Sequence, residues 1–101
     1  MGRLFSILAI IVTLECTAYC DRGITASGEY VREGICAVDK INGLLIPFGT
    51  KITLSDGTTL VVKDRICGGQ YNNHLDIWMA SEQDCWQFGR QWLKCKVEVA
   101  E

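Results

Sequence analysis

The sequence predicts a mainly β fold, a small closed barrel of about six strands with one short helix. Three observations point there. Short apolar runs alternate with polar positions at a period of two, the pattern of strands with one buried face. Ten glycines and a single proline punctuate the chain, as tight turns between short strands require. At 101 residues there is enough chain for one modest core but not two, and closing the sheet removes edges that so small a β domain must otherwise protect.

The elements follow in order. Arg3 and the apolar run Leu4–Leu14 have the basic start and short hydrophobic core of a secretory signal. That run is shorter than the roughly 20 residues of a membrane-crossing helix. We assign residues 1–15 to a signal peptide or membrane anchor, with the first strand beginning near its end, and 16–101 to the folded domain. Two features compete with this division. The best cleavage site, Cys16-Thr17-Ala18, cuts into the domain, and the β-branched density of Ile10 to Tyr19 also suits a first strand. Asp21-Arg22-Gly23 and Thr25-Ala26-Ser27-Gly28 read as loop.

Ile35-Cys36-Ala37-Val38-Asp39 reads as a short buried strand, Asn42-Gly43 as a turn, and Ile46-Pro47-Phe48-Gly49 as the lead into another. Thr50–Leu54 and Thr58–Val62 flank Ser55-Asp56-Gly57, a strong hairpin signal because glycine accepts positive φ without strain. A strand ending at Asp64 is followed by a Gly/Asn loop and then His74–Met79. Ser81 is a helix N-cap with acidic residues behind it, and Gly89 is the stop. Last, Leu93, Cys95, Val97 and Val99 alternate with Lys94, Lys96 and Glu98. Trp86 and Trp92 are expected in the core.

Composition excludes some functions. The net charge is −2 and the cations are scattered, so there is no basic stripe for nucleic acid. Six cysteines (Cys16, Cys20, Cys36, Cys67, Cys85, Cys95) suggest an oxidising compartment and up to three disulfides, with the pairing open. A reduced protein with buried thiols is the alternative, since cysteine is also a small hydrophobe. No Cys-x-x-Cys pair occurs and the lone His74 has no ligand cluster, so neither a metal nor any other cofactor is implied.

The chemistry concentrates in residues 64–78. Asp64 and Asp76 each sit at the edge of an apolar run. By alternation His74, Asp76 and Trp78 share one strand face, with Leu75, Ile77 and Met79 on the other. An acid held against apolar walls has its pKa raised toward the range of a general acid, and a neighbouring tryptophan suits a sugar ring. The competing reading is a turn whose aspartates brace the loop. Thr17 and Tyr19 share a face and are placed to bind a sugar hydroxyl or Asp76. Thr25 and Ser27 either line the groove or bond their own turn. His74 is expected to be a loop-end hydrogen bonder.

Seven separated strings now align with one family: Thr17-Ala18-Tyr19-Cys20, Thr25-Ala26-Ser27-Gly28, Ala37-Val38-Asp39, Ile46-Pro47-Phe48-Gly49-Thr50, Val62-Lys63-Asp64, Leu75-Asp76-Ile77 and Phe88-Gly89-Arg90. Over roughly residues 17–99 the chain resembles the three-aspartate (3D) domain, whose aspartates match Asp39, Asp64 and Asp76. That resemblance implies a six-stranded double-psi β-barrel, as in the C-terminal region of membrane-bound lytic transglycosylase A and in bacterial cell-wall and small phage proteins. A more distant likeness is to expansins and related endoglucanases, through Asp64-Arg65-Ile66-Cys67 and His74-Leu75-Asp76.

The resemblance implies cleavage of peptidoglycan glycan strands, with Asp76 acting first as acid and then as base, and Asp64 assisting or supplying a second carboxylate. Thr17, Tyr19, Thr25, Ser27 and Trp78 would contact substrate, and Asp39 would be structural. The implied partner is peptidoglycan or a related polysaccharide. The protein would be a monomer in the cell envelope or secreted, or else a cytoplasmic phage product, with membrane attachment possible through the N-terminus. The non-catalytic alternative is an expansin-like wall-binding module. Three departures stand out: the longer link Lys40–Leu45, Ile66-Cys67 before the paired glycines, and no second domain to complete the transglycosylase cleft.

Overall fold

In the computed structural model, which describes residues 8–101, six strands close into a mixed barrel. The elements are β1 (Leu8–Tyr19), β2 (Ile35–Ala37), β3 (Lys40–Ile41), β4 (Leu44–Leu45), β5 (Lys51–Leu54), β6 (Thr59–Asp64), β7 (His74–Trp78), α1 (Glu82–Phe88) and β8 (Gln91–Val99). Around the barrel the order is β1-β7-β2-β6-β5-β8, and β8 closes on β1. Two pairs are parallel, β1 with β7 and β2 with β6; the other neighbours are antiparallel. Each parallel pair joins strands far apart in sequence, an arrangement compatible with double-psi connections.

The interior is filled by the inward residues of every barrel strand, among them Leu14, Cys36, Ile52, Val62, Leu75 and Val97, all fully buried. Truncating one such aliphatic side chain to alanine typically costs about 2–5 kcal/mol. The β5–β6 hairpin turns as its Asp-Gly predicts: Gly57 has φ +92°, and the Thr58 N–H donates to Asp56 Oδ1 at 2.8 Å. The long link after Asp39 folds into its own hairpin, β3–β4, outside the barrel. Asn42 and Gly43 both take positive φ there, the primed turn that suits a two-residue loop. Asn73 and Asn72 accept hydrogen bonds from the Asn42 and Gly43 N–H groups at 2.7 and 2.8 Å, tying this hairpin to the loop before β7.

Helix α1 begins and ends where the sequence indicates. Ser81 Oγ accepts from the Asp84 N–H at 3.1 Å, and the Gly89 N–H donates to Cys85 O. Among the described residues no helix is long and apolar enough to cross a membrane.

Some expectations need correction. β1 begins at Leu8, so the first strand overlaps the 1–15 segment assigned above to a leader running into it, and residues 8–15 pair with β8 from Leu8↔Val99 to Glu15↔Trp92. The basic start at Arg3 and the first part of the apolar run lie outside the described residues. Trp86 and Trp92 are not core residues; they are 79% and 64% exposed. The β8 alternation that buries Cys95 and Val97 turns Trp92 outward with Lys94 and Lys96, and α1 buries none of its residues fully. All six cysteines are free thiols, with Cys16, Cys36 and Cys95 buried inside the barrel. Cys16 Sγ donates to Leu14 O and Cys95 Sγ to Leu93 O, each at 3.4 Å, and the neighbouring Cys95 thiol together with burial holds Cys16 in the thiol form.

Candidate functional site

Strand register puts two carboxylates around one small residue. Ala37 on β2 pairs with Asp76 on β7 to one side and Asp64 on β6 to the other. The two aspartate backbones are therefore two strand spacings apart, roughly 10 Å. The methyl group of Ala37 leaves the space above it open. Asp64, Asp76, Ala37, Tyr19, Arg22 and Arg65 line the resulting groove, of about 360 Å³. That lies within the roughly 300–1,000 Å³ of ordinary ligand sites.

The two acids have different surroundings. Asp64 is fully engaged: Oδ2 accepts from the Tyr19 hydroxyl at 2.9 Å, and Oδ1 accepts from the backbone N–H groups of Ala26 and Arg65, each at 2.9 Å. Asp76 Oδ1 accepts from the Thr17 hydroxyl at 2.9 Å, and its Oδ2 has no protein partner among the described residues. Burial pushes the Asp76 carboxyl above the usual carboxylate range, and the charges of Asp21 and Asp64 push the same way. The Thr17 hydrogen bond and the nearby His74 oppose that rise without cancelling it. Tyr19 is held as a phenol by burial and then by its bond to Asp64, so it remains a donor.

Thr17 also bonds to His74. Its Oγ1 lies 2.8 Å from His74 Nε2, and His74 Nδ1 is 3.4 Å from Glu15 Oε1, while Arg90 engages the other Glu15 oxygen, Oε2. The parallel register Glu15↔His74 and Thr17↔Asp76 stacks these pairs along the β1–β7 seam.

The other expected site residues are placed as follows. Thr25 and Ser27 bond each other, Oγ1 to Oγ at 2.9 Å, within a tight loop whose Ser27 N–H donates to Lys63 O. They do not line the groove; they present the Ala26 N–H to Asp64. Trp78 is 6% exposed, covered by Tyr19, Val31 and Ile35, and its Nε1–H donates to Asp21 O at 2.8 Å. It does not line the groove of the two acids: alternation places it beside Asp76, but the segment after β1 folds over it. Asp39, with 0% exposure, accepts backbone N–H bonds from Ile66 (2.8 Å), Cys67 (2.9 Å) and Tyr71 (3.0 Å). Burial works against its charge, but those donors prevail and hold its carboxyl below the usual range. It gathers the loop between β6 and β7 around one anion.

Sequence reasoning missed Arg22 and Arg65 as groove walls. Arg65 Nη1 donates to Val38 O at 2.8 Å, and its guanidinium lies 4.1 Å from the centre of the Phe48 ring, which fixes it at the rim. Adjacency to Asp64 was the available signal. No protein-family model matches the chain, and comparison with curated proteins likewise finds no match.

Proposed function

We propose that this barrel binds the glycan strands of peptidoglycan, or a closely related polysaccharide, and cleaves them in the manner of a lytic transglycosylase with Asp76 as the single acid and base. The supporting observation is the contrast between the two carboxylates of one open groove. Asp64 spends both oxygens on three donors and acts as a brace, while Asp76 keeps one oxygen free and a raised proton affinity. Likeness to the 3D domain and its double-psi barrel adds the substrate class.

In this reading the protonated Asp76 donates to the glycosidic oxygen as the C1–O bond breaks. The resulting carboxylate then accepts the proton of the C6 hydroxyl as that oxygen closes on C1 to give a 1,6-anhydro sugar. The proton lost in the first half is regained in the second, and no water is consumed. The Thr17 hydroxyl stabilises the carboxylate between the halves, and Tyr19 keeps Asp64 from turning into the groove. Arg22 and Arg65 supply the wall with donors for sugar hydroxyls or the lactyl and peptide carboxylates of the wall polymer.

The test is incubation with murein sacculi followed by mass spectrometry of the released fragments. Anhydro-ended muropeptides that disappear with Asp76→Asn are expected. Reducing-end products would replace the transglycosylase with a hydrolase. A second reading is favoured by the single groove wall: an expansin-like module that binds without cutting. Sedimentation with sacculi and no released fragments would establish it.

A further inference from the structure

Trp78 is buried, yet two other rings stand open near the same seam. Trp92 on β8 is 64% exposed, and Tyr71, in the loop before β7, is 50% exposed. Glu15 on β1 pairs with His74 on β7 and with Trp92 on β8, so the three form a row across the outer face of the sheet. That row spans two strand spacings, roughly 10 Å at the backbone. Beside it lies a depression of about 370 Å³ lined by Glu15, Tyr71, Asn72, His74 and Arg90. The geometry points to a saccharide subsite here: a glycan strand in the Asp76 groove continues over the β1–β7 seam, rests sugar rings on Tyr71 and Trp92, and bonds to Glu15, Arg90 and Asn72. This rests on reading the Asp76 groove as a glycan site and adds where the strand runs beyond it. The distance suits a short oligosaccharide, since Glu15↔His74 and Thr17↔Asp76 are pairs of one register, two residues or roughly 7 Å apart.

The chemistry of the depression matches a sugar. A pyranose shows C–H bonds on its faces and hydroxyls around its edge, so it is held by exposed aromatic faces beside groups that both donate and accept. Trp and Tyr supply the first, each an apolar body with a polar tip. Arg90 engages Glu15 Oε2, and its guanidinium has further N–H groups to offer a ligand. Asn72 Oδ1 accepts from the Gly43 N–H at 2.8 Å, which fixes the amide and leaves its NH2 without a protein partner among the described residues. Arg90 is balanced by Glu15, so the pair favours a neutral ligand over a phosphate-rich polymer.

The wall that carries Tyr71 and Asn72 is braced by the long link Lys40–Leu45. The Lys40 N–H donates to Tyr71 O and the Asn73 N–H to Lys40 O, each at 2.8 Å. Asn72 and Asn73 accept from the turn of the β3–β4 hairpin, and Asp39 accepts from the Tyr71 N–H at 3.0 Å. The Tyr71 ring also leans on His74, with 6.0 Å between centroids. These bonds set the backbone of the wall before any ligand arrives, which lowers the ordering cost of binding. The extra hairpin thus has a use: it builds one side of the subsite.

The test is calorimetric titration with soluble murein glycan strands, freed of stem peptides by an amidase, in an Asp76→Asn background that leaves them whole. Trp92→Ala and Tyr71→Ala, both at exposed positions that the fold tolerates, should each weaken binding about tenfold. Trp92→Phe should recover most of the loss. Trp86→Ala, which removes a 79% exposed ring on α1, should change nothing. Unchanged affinity in either Trp92→Ala or Tyr71→Ala overturns the subsite, and so does an equal loss in Trp86→Ala, the mark of general aromatic adhesion. In those cases the Asp76 groove stands as the glycan site if Ala37→Leu still lowers binding. Loss in Trp92→Ala and Tyr71→Ala with none in Ala37→Leu keeps the subsite and overturns the groove. Binding to whole sacculi but not to peptide-free strands overturns the saccharide assignment in favour of the stem peptide, and binding to neither overturns both readings.

Discussion

Thr17 and Asp76 stand opposite each other in the parallel β1–β7 register, and the Thr17 hydroxyl is the only protein group that hydrogen-bonds the Asp76 carboxylate among the described residues. Three donors meet at Asp64 on the far side of Ala37. A protein selected for stability alone would treat two neighbouring buried-edge carboxylates alike. The under-solvated state of Asp76 is a local cost, and such costs cluster where chemistry requires them.

That cost has a measurable sign. The folded state raises the Asp76 pKa, so it holds the proton more tightly than the unfolded chain does. The penalty is absent at pH values below the unfolded pKa of about 4 and grows as pH rises through the window up to the folded pKa. Asp76→Asn removes it and keeps an oxygen for Thr17. The variant should be more stable at pH 7 by about 0.5–2 kcal/mol, with the gain gone near pH 3. Thermal melts at the two pH values check this, and equal melting temperatures at pH 7 would contradict it.

Asp39 should behave oppositely. Its folded pKa is lowered, so its contribution is fully present above the unfolded value and is lost as pH falls through the folded one. Asp39→Ala orphans the N–H groups of Ile66, Cys67 and Tyr71, at about 3 kcal/mol or more. Asp39→Asn is also damaging, because an amide NH2 at the Oδ2 position would face two N–H donors. Urea unfolding at neutral pH should show both losses, and the gap to wild type should narrow in acid.

Residues that act through their own neighbourhood were legible in the sequence. The Asp-Gly hairpin, the Ser81 cap and the β8 alternation depend on local backbone rules, and each lies where those rules put it. The same β8 parity already implied an outward Trp92; the general preference of tryptophan for the interior was the wrong guide. Long-range register was not legible. Nothing local says that Thr17 meets Asp76 or that Ala37 separates two acids, because parallel pairing joins strands almost sixty residues apart. Trp78 shows the same limit: period-two alternation gave its face, while Val31 and Ile35, brought over by the preceding loops, decided its burial.

Ala37 gives the groove its depth, so size at that position controls access. It is nearly fully buried beneath the groove and sits between the two acids. Ala37→Leu should fill the space above it at about 1–3 kcal/mol of stability. Co-sedimentation with sacculi should fall sharply although circular dichroism still reports a folded barrel. Undiminished binding by a folded Ala37→Leu protein would move the polysaccharide site elsewhere.

The thiols should sort by burial. Cys67 is exposed, Cys20 and Cys85 are partly covered, and Cys16, Cys36 and Cys95 are sealed in the barrel. A thiol-reactive chromophore should modify Cys67 first in the native protein. It should reach the three core thiols only after denaturant is added, since burial pushes the Cys36 thiol strongly up and a thiolate is the reactive form. Six equivalents in denaturant without reductant would match the free-thiol structure, and fewer would reveal disulfides.

The barrel needs the N-terminal part of β1. β1 supplies one edge of the parallel pair that holds Asp76 and closes the barrel against β8. Removing residues 1–15 deletes the β1–β8 ladder except Cys16↔Gln91, and with it the Glu15 that faces His74. β7 would keep its pairing with Cys16–Tyr19, but the open edge of β8 would then expose Cys95 and Val97, both buried in the intact barrel. A chain starting at Cys16 should therefore lack dispersed amide resonances and aggregate at concentrations where the full chain is soluble. A folded, monomeric chain from Cys16, seen by amide dispersion and sedimentation velocity, would show that the barrel closes without the first two thirds of β1.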